Sequence, residues 1–484
     1  MSDWDPILAD LAQRRTAAEA MGGSERLSRH HASGKLDARQ RLAALFDAGT
    51  FHEIGAFVGA EPSDALIAGA GRIDGRPAVA GAEDFTVLGG SIGTGAADKR
   101  FRLCQLAGQE RVPLVFMLEG AGHRVTAGAA GRRPNDLQGL ADLSGQVPIV
   151  CLVLGPSAGH GALTAPLADF VVMTPQSSLF AAGPPLVKAA IGEDVTKEEL
   201  GGPDVHLDVS GVAHNPADDD DAAIALARRY LSYFPQNSST GPPQRDGGDS
   251  ARRVLDDILG IVPPDARRPY PMRAVLELLV DDGRFLEIQP RFGTAIVTAL
   301  AHLGGRSVAI VANDPSSRAG AIDSAAAQKA SRFLEVVGAF HLPTVFLADN
   351  PGVMGGTQAE RSGVLRHVAR MFLAQHRLSG PKLHVTMRKA FGFGSSVMAM
   401  NPFDAQTLSL AFPRVTLGAL PVASGAESAK LDDETRDRVA AEQAGASFNI
   451  ARGLGFDDVI DPRQLRNALL DGLSLSEGRS APSS

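Results

Sequence analysis

Short runs of apolar residues alternate along this chain with segments in which apolar residues recur at helical spacing. The runs at residues 112–118, 147–154 and 344–348 are almost wholly apolar, which is the pattern of strands buried on both faces. Residues 96–110 and 325–340 have helical spacing. This alternation predicts βαβ units with right-handed crossovers and mainly parallel strand pairing, in an α/β fold.

The same pattern occurs twice. Residues 75–122 match residues 305–352 without a gap, and 15 of the 48 pairs are identical. The identical pairs include Lys99 with Lys329 and Pro113 with Pro343, at a constant separation (343 − 113 = 230). Chance similarity between two Gly/Ala-rich segments is the alternative, but it would not be expected to keep one register through charged residues. The repeat therefore predicts two copies of one fold, with a site between related halves as the leading hypothesis.

The repeat also suggests the domain organisation. Residues 237–250 are rich in Ser, Gly, Pro and Asp, which is typical of a linker. We expect an N-terminal domain at residues 1–240 and a C-terminal domain at residues 250–484.

Composition excludes several classes of function. The chain has 484 residues and a net charge of −8 with no basic stripe, so a nucleic-acid partner is not expected. No apolar run has the length of a membrane span, so no membrane association is expected. Cys104 and Cys151 lie in apolar runs and offer neither a disulfide framework nor metal-ligand spacing. The N-terminus lacks a signal-peptide pattern, and together these features predict a cytoplasmic protein without a metal.

Two Gly-rich segments follow buried strands at similar places in the two copies. Residues 155–162 follow the run at 147–154, and residues 388–397 follow a strand predicted at 383–387. Such a turn exposes backbone N–H groups that can bind an anion or an oxygen on which negative charge develops. Ordinary sharp turns use glycine for the same steric reason, so the alternative is two plain turns.

One segment matches a nucleophile motif. Gly155, Ser157 and Gly159 fit the G-x-S-x-G elbow of serine hydrolases and follow a buried strand. The second copy has no equivalent serine, and sequence spacing does not show whether a histidine reaches Ser157. The alternatives are a Ser157 nucleophile and a tight turn with no catalytic side chain.

The N-terminal arm is locally basic. Residues 5–45 are predicted to be helical and carry cations from Arg14 to Arg41. These cations either form a solvated helical face or lie near an anionic ligand such as a polyphosphate.

Several ordered blocks resemble the carboxyltransferase (β) subunits of biotin-dependent acyl-CoA carboxylases, such as propionyl-CoA carboxylase. The resemblance extends from about residue 5 to residue 460. The blocks that carry it are residues 34–42 (GKLDARQRL), 83–91 (EDFTVLGGS), 183–188 (GPPLVK), 199–202 (ELGG), 210–214 (SGVAH), Ala319-Gly320, Lys329, Pro351-Gly352, 355–357 (GGT) and Arg366-His367.

This resemblance implies a duplicated crotonase-like fold, with two ββα-superhelix domains of the ClpP/crotonase superfamily. It implies a homo-hexamer, a trimer of dimers, in which the N-domain of one subunit faces the C-domain of another. It implies that carboxybiotin arrives on a separate biotin carboxylase/biotin carboxyl carrier subunit. Carbon dioxide then joins the α carbon of an acyl-CoA through an enolate, and no side chain need act as general base.

The resemblance also implies site residues by position. The catalytic backbone donors would be Gly159 and His160 on the acyl-CoA side and Phe393 and Gly394 on the biotin side. Further substrate-binding positions are Gly122, Arg124, Ala158, Gly183, Pro184 and Ser396. Biotin would be bound by Phe393, Gly394, Pro351 and Gly352.

The chain departs from the family pattern at these same positions. Gly159-His160 replaces a pair of glycines, Phe393-Gly394 replaces Gly-Ala, and Ser396 stands where the family often has Asp. Ser396 would either help to set acyl selectivity or cap a helix start. These departures put propionyl-CoA in doubt as the substrate.

Four functions remain open at this point. The first is the carboxyltransferase subunit of a biotin-dependent acyl-CoA carboxylase, and the second is a biotin-linked acyl-CoA decarboxylase subunit. The third is a biotin-independent acyl-CoA lyase or hydrolase, and the fourth is a non-catalytic scaffold subunit. The chain has no biotin-attachment Met-Lys-Met sequence, so any biotin must come from a partner.

Overall fold

A computed structural model of the protein describes residues 2–124, 135–245 and 249–479. The chain forms two compact units, Met1–Ser232 (unit 1) and Tyr233–Ser484 (unit 2).

Unit 1 is built on a mixed eight-stranded sheet in the order β1-β2-β3-β4-β5-β6-β8, and β7 pairs with the far end of β5. The strands are β1 His52–Glu53, β2 Leu66–Ile73, β3 Arg76–Glu83, β4 Leu114–Gly120, β5 Ile149–Ala158, β6 Phe170–Met173, β7 Ser178–Phe180 and β8 Asn215–Pro216. The pairs β1–β2 and β2–β3 are antiparallel, and the remaining pairs are parallel. Strand β4 is buried along its whole length, as its unbroken apolar run predicts.

Unit 2 repeats this sheet in the order β9-β10-β11-β12-β13-β14-β16, with β15 on β13. Its strands are β9 Phe285–Ile288, β10 Ile296–Leu303, β11 Arg306–Asn313, β12 Thr344–Asn350, β13 Lys382–Phe391, β14 Leu408–Ala411, β15 Thr416–Gly418 and β16 Asp458–Val459.

The two sheets share the same register, strand by strand. Leu66 pairs with Glu83 in unit 1, and Ile296 pairs with Asn313 in unit 2 (296 − 66 = 230). Beyond the segment matched in sequence, the correspondence continues with a larger shift. Pro156 pairs with Ser178, and Lys389 pairs with Thr416 (389 − 156 = 233). The predicted duplication of an α/β fold is therefore confirmed, and it extends through β5 and β13.

Helices lie before, between and after the strands. They are α1 Asp5–Glu19, α2 Ser24–Ala32, α3 Ala38–Leu45, α4 Thr94–Glu110, α5 Asp136–Leu143, α6 Thr164–Leu167, α7 Pro184–Ile191, α8 Lys197–Gly201, α9 Asp220–Tyr233, α10 Ile258–Ile261, α11 Met272–Leu279, α12 Ser324–Ala339, α13 Thr357–Arg361, α14 Val364–His376, α15 Phe393–Val397, α16 Val422–Ala429, α17 Asp433–Ala444, α18 Ala446–Arg452 and α19 Leu465–Leu475. Local sequence fixes several of their starts. Asp37 and Gln40 form a capping box at α3, and the Asp323 side chain accepts the Ala326 N–H at α12.

The Gly-rich segments begin later than the sequence pattern indicates. Residues 155–158 and 388–391 were expected in turns, but they continue β5 and β13 and pair with β7 and β15. Position 155 of β5 requires glycine, because a Cβ atom there would overlap the Glu119 side chain.

The predicted linker does not stand apart from unit 2. Gln244 forms a bridge with Arg306, and the Arg245 N–H donates to the Gly305 carbonyl oxygen at 2.7 Å. Residues 246–248 of this segment lie outside the described residues. The domain bounds 1–240 and 250–484 stay a prediction.

Candidate active site

A glycine with positive φ begins the turn at the carboxyl end of β5 and again at the end of β13. Gly159 has φ 59° and Gly392 has φ 52°, a region that glycine adopts without the steric cost of a side chain. In each case the glycine N–H is already engaged, because Gly159 donates to Phe180 O and Gly392 donates to Gly418 O, both at 3.0 Å. The neighbouring short strand thus fixes the start of the turn.

The next two residues of each turn present free donors. Turn 1 is defined here as Gly159–Gly161 and turn 2 as Gly392–Gly394. Within the described parts of the chain, the backbone N–H groups of His160 and Gly161 have no hydrogen-bond acceptor, and neither do those of Phe393 and Gly394. Each unit therefore offers a pair of adjacent N–H groups at the carboxyl end of a central strand, which is the arrangement of an oxyanion hole.

The alignment of the two sheets relates these donors to the predicted ones. The 233-residue shift places His160 and Gly161 on Phe393 and Gly394. On the biotin side the free pair is the pair expected from sequence. On the acyl-CoA side, Gly159 was expected to donate, but its N–H is used by Phe180 O, and Gly161 supplies the second free group. Which groups bind substrate stays a prediction.

Tight packing explains the glycine at position 394, where the family pattern has alanine. A Cβ atom on Gly394 would overlap Asn350 Oδ1 and would lie 2.9 Å from the Cα atom of Gly352. Asn350 is itself held, since its Nδ2 donates to Asn313 Oδ1 at 2.9 Å. Turn 2 therefore lies directly against the segment of Pro351 and Gly352, two residues predicted to bind biotin.

Gly122 and Ala158 are brought together in unit 1. Gly122 has φ 82°, and a Cβ atom there would lie 2.8 Å from the carbonyl oxygen of Ala158. The equivalent Gly352 has φ 114° and lies near Phe391 O. Both glycines are required by the close approach of a loop to the end of the central strand.

The side chain of Arg124 is held by unit 1 itself. Arg124 Nη1 donates to Asp64 Oδ1 at 2.7 Å, and the remaining guanidinium groups donate to Ser91. Gly183 and Pro184 form the N-terminus of α7. The predicted roles of Arg124, Gly183 and Pro184 in substrate binding stay predictions.

Ser396 lies in α15, the short helix that follows turn 2, with its side chain exposed. The N-cap residue of this helix is Gly392, so Ser396 does not cap it. Phe393 in the same helix is 69% exposed. Both side chains are therefore accessible to a ligand in unit 2.

The structure gives no support for Ser157 as a nucleophile. Ser157 lies inside β5 rather than at an elbow, and only 1% of its surface is exposed. Within the described chain its Oγ has no hydrogen-bond partner, so no histidine activates it. A buried hydroxyl in a strand cannot reach a substrate without rearrangement of the sheet.

A chain of buried ionic groups lies beneath turn 1. The His160 Nε2 atom lies 2.5 Å from Asp136 Oδ1. Arg100 Nε donates to the other oxygen of Asp136 at 2.6 Å, and Arg100 Nη1 donates to Glu83 Oε1 at 3.0 Å. The His123 ring lies 4.7 Å from the His160 ring, centroid to centroid.

These contacts set the charge of Asp136. Burial alone would raise the pKa of Asp136, but the hydrogen bond from His160 and the charge of Arg100 hold that pKa well below its usual range. Asp136 is therefore a carboxylate at neutral pH. Burial raises the pKa of Glu83, and the nearby Arg100 opposes that rise.

Sequence reasoning missed Glu83, Arg100 and Asp136, because the contacts join residues far apart in the chain. The repeat held one signal. Glu83 aligns with Asn313, and Arg100 aligns with Ala330, so a charged pair in one copy is neutral in the other. The charged pair can therefore form only in unit 1.

A basic cavity of about 560 Å³ opens at the same edge of the unit 1 sheet. Its lining includes Glu119 and Pro156, at the ends of β4 and β5, and the N-terminal arm supplies most of its cations. The charged and polar lining residues are Arg26, Arg29, His30, Ser33, Lys35, Thr86, Glu119, Gln176 and Lys197. The cations of the N-terminal arm were expected either to form a solvated helical face or to lie near an anionic ligand. This cavity favours the second interpretation.

Comparison with known proteins identifies the fold and the family. The chain is similar to the crystal structure of transcarboxylase 12S, with a TM-score of 0.91 and 34% sequence identity. The match covers 98% of this chain and 96% of the transcarboxylase chain. That structure shows a hexamer with methylmalonyl-coenzyme A bound. The predicted duplicated crotonase-like fold is confirmed. The class defined by fold and site is that of acyl-CoA carboxyltransferases.

The chain belongs to the carboxyl transferase domain family, whose model matches residues 29–477. It is 35% identical to the methylmalonyl-CoA decarboxylase subunit alpha of Veillonella parvula, over 96% of this chain and 94% of the relative. It is also 35% identical to the methylmalonyl-CoA carboxyltransferase 12S subunit of Propionibacterium freudenreichii subsp. shermanii, over 96% of this chain and 93% of that subunit. The family resemblance seen in the sequence is confirmed.

The described residues show neither a metal cluster nor a membrane-spanning helix. In residues 2–124, 135–245 and 249–479, no group of three or more His, Cys, Asp or Glu side chains could hold a metal ion. Across those same residues, the helices are all too short or too polar to cross a membrane.

Proposed function

We propose that this chain is the carboxyltransferase subunit of a biotin-dependent acyl-CoA carboxylase and transfers CO₂ to the α carbon of an acyl-CoA. The observation that carries the proposal is the pair of equivalent turns, each with two adjacent free N–H groups at the end of a central strand. Carboxyl transfer needs two such sites, because an acyl thioester oxygen and a ureido oxygen both gain negative charge during the reaction.

Unit 1 is proposed to bind the acyl-CoA. The N–H groups of His160 and Gly161 would hold the thioester oxygen, and the basic cavity at the same sheet edge suits the phosphates of coenzyme A. Methylmalonyl-coenzyme A is bound in the structure of transcarboxylase 12S, which supports a thioester ligand.

Unit 2 is proposed to bind the biotin group. Phe393 and Gly394 offer two free donors for a ureido oxygen, and the exposed Phe393 ring offers an apolar surface for the bicyclic group. Carboxybiotin, when delivered by a partner subunit, supplies the CO₂. Pro351, Gly352 and Ser396 lie in the segments that flank this turn, and Ser396 is proposed to influence the acyl group that is accepted.

The assembly is proposed to be a homo-hexamer with a biotin carboxylase/biotin carboxyl carrier subunit as partner. The related transcarboxylase 12S is described as a hexamer in a multienzyme core. A complete site would need both turns, and the family resemblance implies that unit 1 of one subunit faces unit 2 of another. A cytoplasmic location is part of the same proposal.

The experiment that tests this function uses the native complex. We expect a preparation purified through its biotinylated partner to fix labelled bicarbonate in an acyl-CoA- and ATP-dependent reaction. A panel of acetyl-, propionyl-, butyryl- and octanoyl-CoA would identify the acyl group. Absence of a biotinylated partner together with thioester cleavage would favour a biotin-independent lyase or hydrolase, and absence of any turnover would favour a scaffold.

A second candidate is the reverse reaction. The methylmalonyl-CoA decarboxylase subunit alpha is as similar to this chain as the 12S carboxyltransferase is. The same two turns would then stabilise charge while CO₂ leaves the thioester. Release of labelled CO₂ from methylmalonyl-CoA without ATP, dependent on a biotinylated partner, would distinguish this direction from carboxylation.

A further inference from the structure

We propose that the His160 imidazole, held by Asp136, is a general base that removes the α-proton of the acyl-CoA bound at turn 1. It follows that this chain enolises its thioester substrate without biotin. The inference rests on the proposed acyl-CoA site, and it adds a side-chain base to a reaction that the family resemblance assigns to backbone donors alone.

The hydrogen bond to Asp136 fixes which nitrogen is basic. A carboxylate only accepts hydrogen bonds, so the 2.5 Å contact places the imidazole proton on Nε2. The Nδ1 atom of a neutral His160 then carries the lone pair. Asp136 also stabilises the imidazolium that forms when Nδ1 gains a proton, as the carboxylate of a catalytic triad does.

His160 belongs to turn 1 itself. Its own backbone N–H is one of the two free donors of this turn, so the ring is carried by a residue that would hold the thioester oxygen. The α carbon of a thioester is two bonds from that oxygen. His160 retains 15% exposure of its side chain, which leaves the ring accessible from the site.

The duplicated fold argues against a purely structural role for the network. Unit 2 forms the same turn at the same register, yet Asn313, Ala330 and Phe393 stand in place of Glu83, Arg100 and His160. The turn therefore does not require these ionic groups for its shape. These ionic groups are present only in unit 1, and unit 1 is the unit proposed to bind the thioester.

The bond between the α carbon and its hydrogen breaks, and the proton moves to His160 Nδ1. The electron pair of that bond forms the C=C bond of the enolate, and the π pair of the carbonyl group moves to the thioester oxygen. The N–H groups of His160 and Gly161 stabilise the resulting enolate. In the absence of a carboxyl donor, the imidazolium exchanges its proton for one from the solvent. It then delivers the solvent proton to the α carbon.

This predicts exchange of the α-hydrogens with solvent deuterium. The full chain alone, without biotin or a partner, is incubated in D₂O with acetyl-, propionyl-, butyryl- and octanoyl-CoA, and deuterium is followed by mass spectrometry. We expect wild-type protein to exchange at least one of these thioesters. We expect His160→Ala, which keeps the backbone N–H, to lower the exchange rate by about 10²-fold or more.

Two further variants separate catalysis from folding. His160→Gln retains a donor for Asp136 but has no basic nitrogen, and it should lose exchange while it still binds acyl-CoA. His376→Ala is the matched control, because His376 also contacts an aspartate, Asp404, at 2.6 Å, but in unit 2. It should exchange like wild type.

Asp136 is a positioning residue in this proposal. Asp136→Asn should lower the exchange rate at saturating acyl-CoA and leave the KM for acyl-CoA nearly unchanged. A purely structural role would instead change both quantities together.

Either of two results would overturn the inference. One is the absence of exchange on every thioester in wild-type protein, and the other is wild-type exchange in His160→Gln. Carboxyl transfer by the native complex is measured in parallel, so failure of the base leaves the proposed function standing if bicarbonate is still fixed.

Discussion

Gly394 is the residue at which the geometry of turn 2 is most tightly determined. A Cβ atom there would overlap Asn350 Oδ1, and Asn350 is held in place by Asn313. We predict that Gly394→Ala displaces the turn and lowers carboxyl transfer by about 10²-fold, the typical cost of losing one oxyanion donor. Gly260→Ala is the matched control because a Cβ atom at that glycine meets nothing within 4 Å. Equal activity of the two variants would show that Asn350 and turn 2 adjust to a Cβ atom, and it would contradict the prediction.

A second residue-scale prediction concerns Lys329, the repeat partner of Lys99. Burial lowers the pKa of Lys329 to about 7, whereas an unfolded lysine titrates near 10.4. Between these values the unfolded chain binds a proton that the folded chain lacks, so the free energy of unfolding rises with pH. We predict that wild type gains stability relative to Lys329→Met between pH 7 and pH 9, by up to about 1.4 kcal/mol per pH unit.

Denaturant titrations of both proteins at several pH values measure this difference. Lys188→Met serves as the control, because Lys188 is exposed on α7 and pairs only with the exposed Asp194 among the contacts described. A constant difference between wild type and Lys329→Met across this pH range would contradict the prediction.

At the scale of elements, the hairpin tip of each sheet is held by an aspartate and an arginine. Asp47 accepts the N–H groups of Asp74 and Gly75 and pairs with Arg228. In unit 2, Asp281 accepts those of Gly304 and Gly305 at 3.0 and 2.7 Å and pairs with Arg466. The unit 2 pair is buried, whereas the unit 1 pair is partly exposed.

This difference predicts unequal costs for the same substitution. Asp281→Ala leaves a buried guanidinium without its charged partner and should destabilise the protein by about 3–5 kcal/mol. Asp47→Ala should cause a clearly smaller loss, because water can solvate Arg228. Urea unfolding of the two variants measures the comparison, and equal losses would contradict it.

Most elements of the sheets could be predicted from the sequence, but their ends could not. The apolar run at 112–118 identified β4, and the repeat identified its counterpart β12. The extension of β5 through Pro156 to Ala158 could not be read, because glycine and proline normally interrupt strands and pairing with β7 overrides that preference. Strands of two or three residues, such as β8 and β16, are likewise fixed by their partners rather than by a periodic pattern.

The candidate site, too, could be predicted from the sequence only in part. The position of both turns followed from glycine spacing and the repeat. The ionic chain from Glu83 to His160 could not be predicted, because the contact of His160 with Asp136 depends on how α5 packs beside turn 1. The use of the Gly159 N–H by Phe180 O likewise depends on β7, which the sequence did not reveal.

At the scale of the whole molecule, the prediction concerns assembly. Turn 1 and turn 2 each present two free donors among the described residues, and the related transcarboxylase 12S is a hexamer. We predict that the protein sediments as six copies of the 50.5 kDa chain and that activity follows the hexamer fraction. Analytical ultracentrifugation with activity assays on the separated fractions tests this, and an active monomer would contradict it.

The duplication within one chain also has a consequence for synthesis. Because turn 1 and turn 2 lie on the same polypeptide, translation of one message always yields them in a one-to-one ratio. A mutation that alters transcription or translation changes both by the same factor. The cell therefore needs no separate control to balance the two half-sites, and each can diverge in sequence without ever being produced in excess of the other.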